Sequence, residues 1–169
     1  MLKFSEPRII ERGPYNVVGA YATFEGDDEG PGWLAADKAF FSRQSEIVNN
    51  TDSLVLGFLY RPHKDHPEIS PDVRACFIGA EVADLNHVPP GMSVTHYSGG
   101  KYVIVDCIGD TMDEAANGVG DAINFLSQWI PEHGYREGDA CFSAGDMKAV
   151  RPPHVEMVHI KLEPAATAG

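Results

Sequence analysis

Disulfide bonds, a secretion signal and a membrane span are the first features that this sequence lacks. Its 169 residues include only three cysteines, Cys76, Cys107 and Cys141, which lie too far apart to suggest a disulfide framework. The first residues include charged side chains and Pro7, and they contain no apolar run of the kind that a signal peptide requires. No stretch approaches the roughly 18 uninterrupted apolar residues of a membrane span. We therefore expect reduced thiols and a cytoplasmic protein.

Motifs for nucleophilic catalysis, phosphate binding and metal binding are also missing. There is no Gly-x-Ser-x-Gly segment, and the glycines of residues 118–120 lie inside a helical pattern, where they favour close packing over phosphate binding. His63, Asp65 and His66 would form half a zinc site, but their proline-rich segment offers no obvious further ligand. We expect neither a metal nor a cofactor.

Positive charge is scarce, with 13 Lys and Arg against 25 Asp and Glu and a formal net charge of −12. Such a surface repels phosphate backbones, and the basic residues are scattered along the chain instead of clustered. The sequence therefore predicts no direct binding to nucleic acid and favours cationic or neutral partners. A role of the acidic surface in solubility explains the charge equally well.

The pattern of apolar residues predicts an α+β fold. Strands are expected at residues 9–12, 15–24, 54–60, 74–82 and 92–97, with an amphipathic helix at residues 33–48 between the second and the third. That helix has two adjacent apolar tracks that are expected to face a core. They comprise Trp33, Phe40 and Ile47, and Leu34, Phe41 and Val48.

The second half of the chain repeats the order of strand, helix and strands. Strands are expected at residues 102–108, 140–142 and 155–162, and a helix at residues 112–129. Thr111 and Glu114 have the spacing of a capping box, and Pro131 and Gly134 are expected to end that helix. Clustered antiparallel strands with two long helices are typical of a single α+β domain over residues 1–169.

Several short motifs, in this order, resemble the GyrI-like family of small-molecule-binding domains. That family includes the effector-binding domains of AraC-type and multidrug-responsive regulators and stand-alone gyrase-inhibitory proteins. The resemblance covers nearly the whole chain. It rests on Pro7-Arg8-Ile9, Glu11-Arg12, Val17-Val18-Gly19, Gly57-Phe58-Leu59-Tyr60, Val88-Pro89-Pro90-Gly91-Met92, Gly100-Lys101-Tyr102 and Trp129-Ile130-Pro131-Glu132-His133-Gly134-Tyr135.

This resemblance implies two β-α-β-β-like units with pseudo-twofold symmetry around a central ligand cleft that is lined by aromatic and aliphatic side chains. Many members of the family accept flat lipophilic cations, and in several a glutamate near the penultimate strand pairs with the charge. Ala140 or Cys141 occupies that position here, and Asp139 would replace the glutamate only after a shift of one residue, which turns a strand side chain to the opposite face.

Aromatic side chains are the strongest candidates for ligand contact, because ring faces offer apolar area and attract cations. For each ring, packing in a core is the alternative, and the resemblance favours Tyr60, Tyr97 and Tyr102, at strand ends that should border the cleft. Glu81 and Glu156 interrupt apolar strands, and Glu81 is the preferred replacement charge, with the solvent face of a strand as the alternative. The candidate ligand-binding residues are Trp33, Tyr60, Phe77, Glu81, Tyr97, Tyr102, Trp129 and Cys141.

The leading hypothesis is a stand-alone binding protein that sequesters or senses a lipophilic aromatic compound, with a separate protein as a partner for signalling. Two alternatives stay open at this point. Some relatives in the family resemble hydrolases that open strained rings in natural products, although the missing cleft glutamate counts against that function here. Inhibition of a protein through an acidic, nucleic-acid-like surface is the other.

Overall fold

The two halves of the strand and helix pattern form separate units in the computed structural model of the chain. The central unit is Tyr15–Tyr97, and the terminal unit joins Met1–Pro14 to Ser98–Gly169. The structure describes residues 1–59, 64–70, 72–146 and 154–166. At residues 58, 139–146 and 156 it describes the backbone but not the side chain. Each unit has an antiparallel sheet and its own hydrophobic cluster, so the α+β class is confirmed.

The sheet of the central unit has the strand order β4-β5-β3-β6. Its strands are β3 (Tyr15–Phe24), β4 (Asn50–Leu59), β5 (Arg74–Val82) and β6 (Ser93–Tyr97). Alternate residues of these strands pack against helix α1 (Gly30–Phe41), because successive side chains of a strand point to opposite faces. The buried cluster on the helix side includes Val18, Phe24, Phe40, Cys76 and Ile78.

Helix α1 is shorter and earlier than the sequence predicts. It begins three residues before Trp33 and ends at Phe41, and the short 3-10 helix Gln44–Glu46 follows it. Phe40 and Ile47 are buried as expected, but Leu34 and Val48 are more than 70% exposed, at 73% and 72%. The second apolar track of the prediction is therefore wrong, because Leu34 lies on the exposed side of α1 and Val48 lies beyond the end of that helix.

The terminal unit places strand β7 between its N-terminal strands and β9, and β8 pairs with β9. Its strands are β1 (Lys3–Phe4), β2 (Arg8–Arg12), β7 (Gly100–Gly109), β8 (Tyr135–Asp146) and β9 (His154–Pro164). Strand β1 is absent from the predicted pattern, and β8 is much longer than the predicted residues 140–142. Ala122, Leu126 and Ile130 bury one face of the helical segment against this sheet.

The predicted helix at residues 112–129 is two consecutive helices, α2 (Met112–Asn117) and α3 (Val119–Glu132). They are separated by Gly118, where an added Cβ would lie 2.8 Å from a methyl group of Leu2. The predicted cap is confirmed, because the Glu114 amide donates to Thr111 Oγ1 at 3.1 Å. None of the helices in the described ranges is long and apolar enough to cross a membrane.

Both units have the same β-α-β-β connectivity, and both contain the same irregularity in their third element. In β4 the pairing with β5 shifts between Asn50 and Leu54, and in β8 the pairing with β9 shifts between Glu137 and Cys141. Each shift inserts extra residues into one strand, as a β-bulge does. The repeat is therefore structural, although the two halves share no visible repeat of residues.

Two glycines allow β3 and β5 to approach closely in the central unit. Gly19 pairs with Gly79. A Cβ on Gly19 would lie 2.5 Å from Gly79 Cα and would also overlap the carbonyl oxygen of Ile78. Backbone atoms cannot rotate away as a side chain can, so the contact requires glycine at this position.

Gly19→Ala is expected to lower the free energy of unfolding by at least about 2–3 kcal/mol, because the added methyl group overlaps backbone atoms of β5. Gly120→Ala is the matched control, since nothing lies within 4 Å of a Cβ at that helical position. The control should be neutral or stabilising by up to about 1 kcal/mol. Urea unfolding of both variants measures the difference, and equal stability of Gly19→Ala and the original chain would contradict this packing.

Candidate functional site

In each unit, one face of the sheet packs against the helix and the opposite face does not. We call the second one the helix-free face. In the central unit it carries Tyr15, Tyr21, Phe77, Glu81, Thr95 and Tyr97, because these residues alternate with the members of the helix-side cluster. Three of the eight predicted ligand-binding residues, Phe77, Glu81 and Tyr97, therefore lie on one face of one sheet.

Tyr97 forms one end of this face. It pairs with Tyr15 across β6 and β3, and the two rings stack with their centroids 5.0 Å apart and an interplanar angle of 9°. Tyr15 is buried, whereas Tyr97 is half-buried. Such a stacked pair holds the ring of Tyr97 in a fixed orientation, which lowers the entropy that a flat ligand would have to remove on binding.

Phe77 lies nearer the middle of the face and is completely buried. Its ring tip would be 3.0 Å from a Cβ on Gly79, so the ring covers the strand surface that the glycine leaves bare. Glu81 is half-buried two residues beyond Gly79 and pairs with Val17. An aromatic ring and a carboxylate thus flank the place where the two strands lie closest.

A buried polar network adjoins Phe77, and the sequence analysis does not predict it. Nε2 of His66 lies 2.9 Å from Oγ1 of Thr95, and the two residues are only 3% and 1% exposed, respectively. Nδ1 of His66 lies 3.5 Å from Oε1 of Glu68, which also accepts a hydrogen bond from the Tyr21 hydroxyl at 2.7 Å. The imidazole of His66 therefore lies between the hydroxyl of Thr95 and the carboxylate of Glu68.

The segment that carries His66 is held to strand β6 by a second pair. One carboxylate oxygen of Asp65 accepts the backbone amide hydrogen of His96 at 2.8 Å, and the other lies 3.1 Å from its ring Nδ1. Burial alone would raise the pKa of Asp65, but the hydrogen bonds from His96 outweigh it and lower that pKa. Asp65 and His66 thus have separate protein partners, and His63 lies outside the described residues.

The helix-free face of the terminal unit carries Tyr102, Ile104 and His159, all buried. The Tyr102 hydroxyl donates to the Ser98 carbonyl at 2.6 Å, so this ring is a bonded core side chain in the structure. Burial above all lowers the pKa of His159 to about 4, and the positive charges of Arg8 and Arg12 act in the same direction. An imidazole with this pKa is neutral at physiological pH.

Glu81 and Lys161 occupy equivalent positions in the two sheets. After the bulge, Leu54 pairs with Ala80 in one unit and Cys141 pairs with Ile160 in the other. One residue beyond Ala80 is Glu81, and one residue beyond Ile160 is Lys161, whose ammonium group donates to Ser98 Oγ. The repeated topology therefore presents opposite charges at corresponding places of its two sheets.

The two predicted tryptophans pack on the helix side of their units. Trp33 contacts the cluster under α1, and Trp129 contacts the cluster under α3, where it stacks on His133 with centroids 3.7 Å apart. Both are half-buried. The structure therefore does not bring either ring to the residues of a helix-free face.

Two candidates remain, Tyr60 and Cys141. Tyr60 lies outside the described residues. Cys141 lies in β8 with its backbone paired to Ile160, immediately after the bulge that spans Asp139 and Ala140. Glu156 pairs with Cys107 in β9. The bulge falls on the segment where the family motif places its glutamate, so alternation along the sequence does not by itself assign faces there.

Among the described cysteines, Cys76 is a buried thiol of the helix-side cluster in the central unit. Burial first, and the nearby charge of Glu29 second, raise its pKa to about 12. A thiol with this pKa stays protonated at neutral pH and is not a nucleophile.

Comparison with known proteins assigns the chain to a family. A model of the GyrI-like small molecule binding domain matches residues 5–154, which span most of both units. The chain belongs to the GyrI-like family. No curated protein is similar enough in sequence to match it.

Solved structures share the fold at low sequence identity. The structure of SAV2435 bound to tetraphenylphosphonium has a TM-score of 0.66 at 10% identity and covers 94% of both chains. The C-terminal domain of EcmrR has a TM-score of 0.64 at 13% identity, over 95% of this chain and 98% of the other. An integron cassette protein of Vibrio cholerae has a TM-score of 0.62 at 16% identity, over 96% of this chain and 99% of the other.

The lowered pKa of His159 predicts a loss of stability in mild acid. Between the ordinary pKa of about 6.5 and the folded value of about 4, the unfolded chain binds a proton that the folded chain excludes, so the free energy of unfolding falls as pH falls. This group should contribute a loss of about 2 kcal/mol between pH 7.5 and pH 5. The loss should shrink in His159→Gln and persist in the exposed control His87→Gln when urea unfolding is measured at both pH values.

An NMR titration of the His159 ring checks the same point without a variant. Its carbon-bound protons should keep the shifts of a neutral imidazole down to pH 5. Titration with a midpoint near 6.5 would contradict the burial of this ring.

Proposed function

We propose that this protein binds lipophilic aromatic small molecules without transforming them, and that the helix-free face of the central unit supplies ligand contacts. The observation that carries the proposal is the grouping of Phe77, Tyr97 and Glu81 on one face of one sheet. The family to which the chain belongs, and a similar structure that holds tetraphenylphosphonium, support a ligand of this class.

The chemistry of that face fits a flat ligand better than a strongly polar one. The half-buried ring of Tyr97, stacked on Tyr15, is an accessible and rigid aromatic surface, and Phe77 and Val17 are completely buried apolar residues of the same face. Transfer of apolar ligand surface to such a site is favourable at roughly 25 cal/mol per Å². Glu81 provides the carboxylate on this face of β5, which gives cations an advantage over neutral analogues.

Sequestration, or sensing coupled to a separate protein, is the role that we propose for such binding. A binding module needs only differential affinity between its free and bound conformations to transmit a signal. The cytoplasm is the compartment that we propose, on the basis of the scattered cysteines.

Planar lipophilic dyes should bind in the micromolar range, which corresponds to about −8 kcal/mol. Tyr97→Ala should weaken binding by about 1–2 kcal/mol, because one ring of the face is lost. Glu81→Gln should leave the affinity for neutral dyes unchanged and remove the preference for cations. Isothermal titration calorimetry with a cationic dye and its neutral analogue measures both effects.

Tyr135→Ala is the matched control, since Tyr135 is a half-buried tyrosine that packs against the helix-side cluster of the terminal unit. It should not change the affinity for dyes. Thermal melts of each variant establish that it is folded at the temperature of the titration. Equal affinities of Tyr97→Ala and Tyr135→Ala for every dye would refute the proposed face.

A second candidate function, hydrolysis of reactive small molecules, is favoured by the Thr95, His66 and Glu68 network. An imidazole between a hydroxyl and a carboxylate is an arrangement that removes a proton from a nucleophile. The 2.9 Å separation of the hydroxyl and the imidazole suits proton transfer. Thr95 and His66 are both buried, so a substrate would have to displace covering side chains to reach them. Tyr97 and Glu81 are half-buried and therefore accessible to a ligand, and we prefer the binding function for this reason.

Incubation with epoxide- or cyclopropane-containing compounds separates the two functions. If binding is the function, product should not form faster than in buffer. Turnover that is lost in His66→Gln but retained in His87→Gln would replace binding by hydrolysis through this network. Turnover lost only in Glu81→Gln would assign hydrolysis to that carboxylate instead. Liquid chromatography with mass spectrometry detects the product in each case.

A further inference from the structure

A surface cavity of about 320 Å³ lies in the terminal unit, between the N-terminal segment and helix α3. It is on the helix side of the sheet and is therefore distinct from the helix-free face proposed above. Phe4 and Pro7 line it from the N-terminal segment, and Ala122 and Phe125 line it from the helix. Its volume lies at the lower end of the range for small-molecule pockets.

A break in the edge strand makes the cavity. Strand β1 pairs with β7 through Phe4 and Cys107, and β2 resumes the pairing at Arg8 and Ile104, so residues 5–7 leave the ladder. Pro7 has no amide hydrogen to offer the ladder. Ser5 fills the gap instead, because its Oγ accepts the amide hydrogen of Asp106 at 2.9 Å and its own amide donates to the Asp106 carbonyl at 3.0 Å.

The apolar part of the lining includes two aromatic rings that remain in contact with solvent. Phe4 is 46% exposed and Phe125 is 49% exposed, although large apolar side chains usually find cover. Ile9, which is 43% exposed, points to the same side of the sheet, because it pairs with the core residue Val103. Exposed apolar patches of this kind are often binding sites.

The charged side chains in the lining are both acidic. Glu6 lies beside Pro7, and Asp121 precedes Ala122 in the first turn of α3. Both residues are exposed, and no basic residue contributes to the described lining. Two basic residues flank the segment: Lys3 precedes Phe4 in β1, and Arg8, which follows Pro7, pairs with Asp106 at 2.8 Å.

We propose that this cavity binds small aromatic ammonium ions, with the rings of Phe4 and Phe125 contacting the aromatic part and Glu6 and Asp121 near the charge. Aromatic faces and carboxylates are the groups that recognise quaternary ammonium ligands. The volume suits a ligand with one ring. The site does not depend on the helix-free face, so it adds a second ligand site to the chain.

Benzyltrimethylammonium is the probe, and neopentylbenzene, which has the same shape without the charge, is its partner. Titration followed by two-dimensional NMR of the ¹⁵N-labelled protein should shift the amide signals of Phe4, Ser5, Glu6 and of the first two turns of α3 in a saturable way. The cation should bind about two- to fivefold more tightly than the neutral compound.

Phe125→Ala should weaken binding of both compounds about fivefold or more, because half of the aromatic wall is lost. Its matched control is Phe41→Ala, which removes a phenylalanine of similar exposure, 44%, from α1 of the central unit. The double variant Glu6→Gln, Asp121→Asn should keep affinity for neopentylbenzene and lose the preference for the cation. All of these side chains are on the surface, so the variants should remain folded.

Shifts confined to other residues, or equal affinity in Phe125→Ala and Phe41→Ala, would overturn the site. An unchanged cation preference in the double variant would overturn the role of the carboxylates. Sedimentation that shows a dimer dissociating in Phe125→Ala would assign the patch to a second copy of the chain and overturn the small-molecule site. Tyr97→Ala should not affect binding of the probe at α3, so failure here is distinguishable from failure of the proposed function.

Discussion

Alternation of side chains along the strands divides each sheet of this protein into a helix-side face and a helix-free face, and the rest of the structure depends on that division. In the central unit, Val18 and Ile78 face α1, so their neighbours Val17 and Phe77 must face the other way. On the helix-free face Glu81 and Tyr97 are half-buried, so both side chains are partly accessible. The grouping of Phe77, Glu81 and Tyr97 follows from the period of two.

Burial on the helix-free faces explains the hydrogen bonds of three polar side chains there. A buried hydroxyl or imidazole without a partner costs about 1–3 kcal/mol, so Thr95, His66 and Tyr102 must each have hydrogen bonds. His66 and Thr95 satisfy one another, and Tyr102 uses a carbonyl of the turn before β7. These bonds also fix the rings beside them, and a fixed site binds a flat ligand at a lower entropic cost.

Glycine has a different role at each conspicuous position. Gly19 is required because backbone atoms of β5 occupy the place of its side chain, and Gly118 allows Leu2 to pack between the two helices of the terminal unit. Gly120, in the same segment of the sequence, has empty space around it. Close packing was therefore the correct interpretation for Gly118 and is not needed at Gly120, a difference that only the neighbours in space reveal.

The sequence alone determined the fold class, the family and the order of the elements, because periodicity, capping residues and short turn motifs are local signals. Strand β5 has the predicted bounds, and Thr111 caps α2 as predicted. Tertiary structure decided which aromatic rings share a face. Trp33 and Trp129 belong to helices and pack against the helix-side clusters, whereas Phe77 and Tyr97 lie on the helix-free face. It also decided the pairing of His66 with Thr95, which are 29 residues apart, and the cavity at the break between β1 and β2. Local patterns cannot specify such features, because they arise where distant segments meet and where bulges interrupt the alternation of a strand.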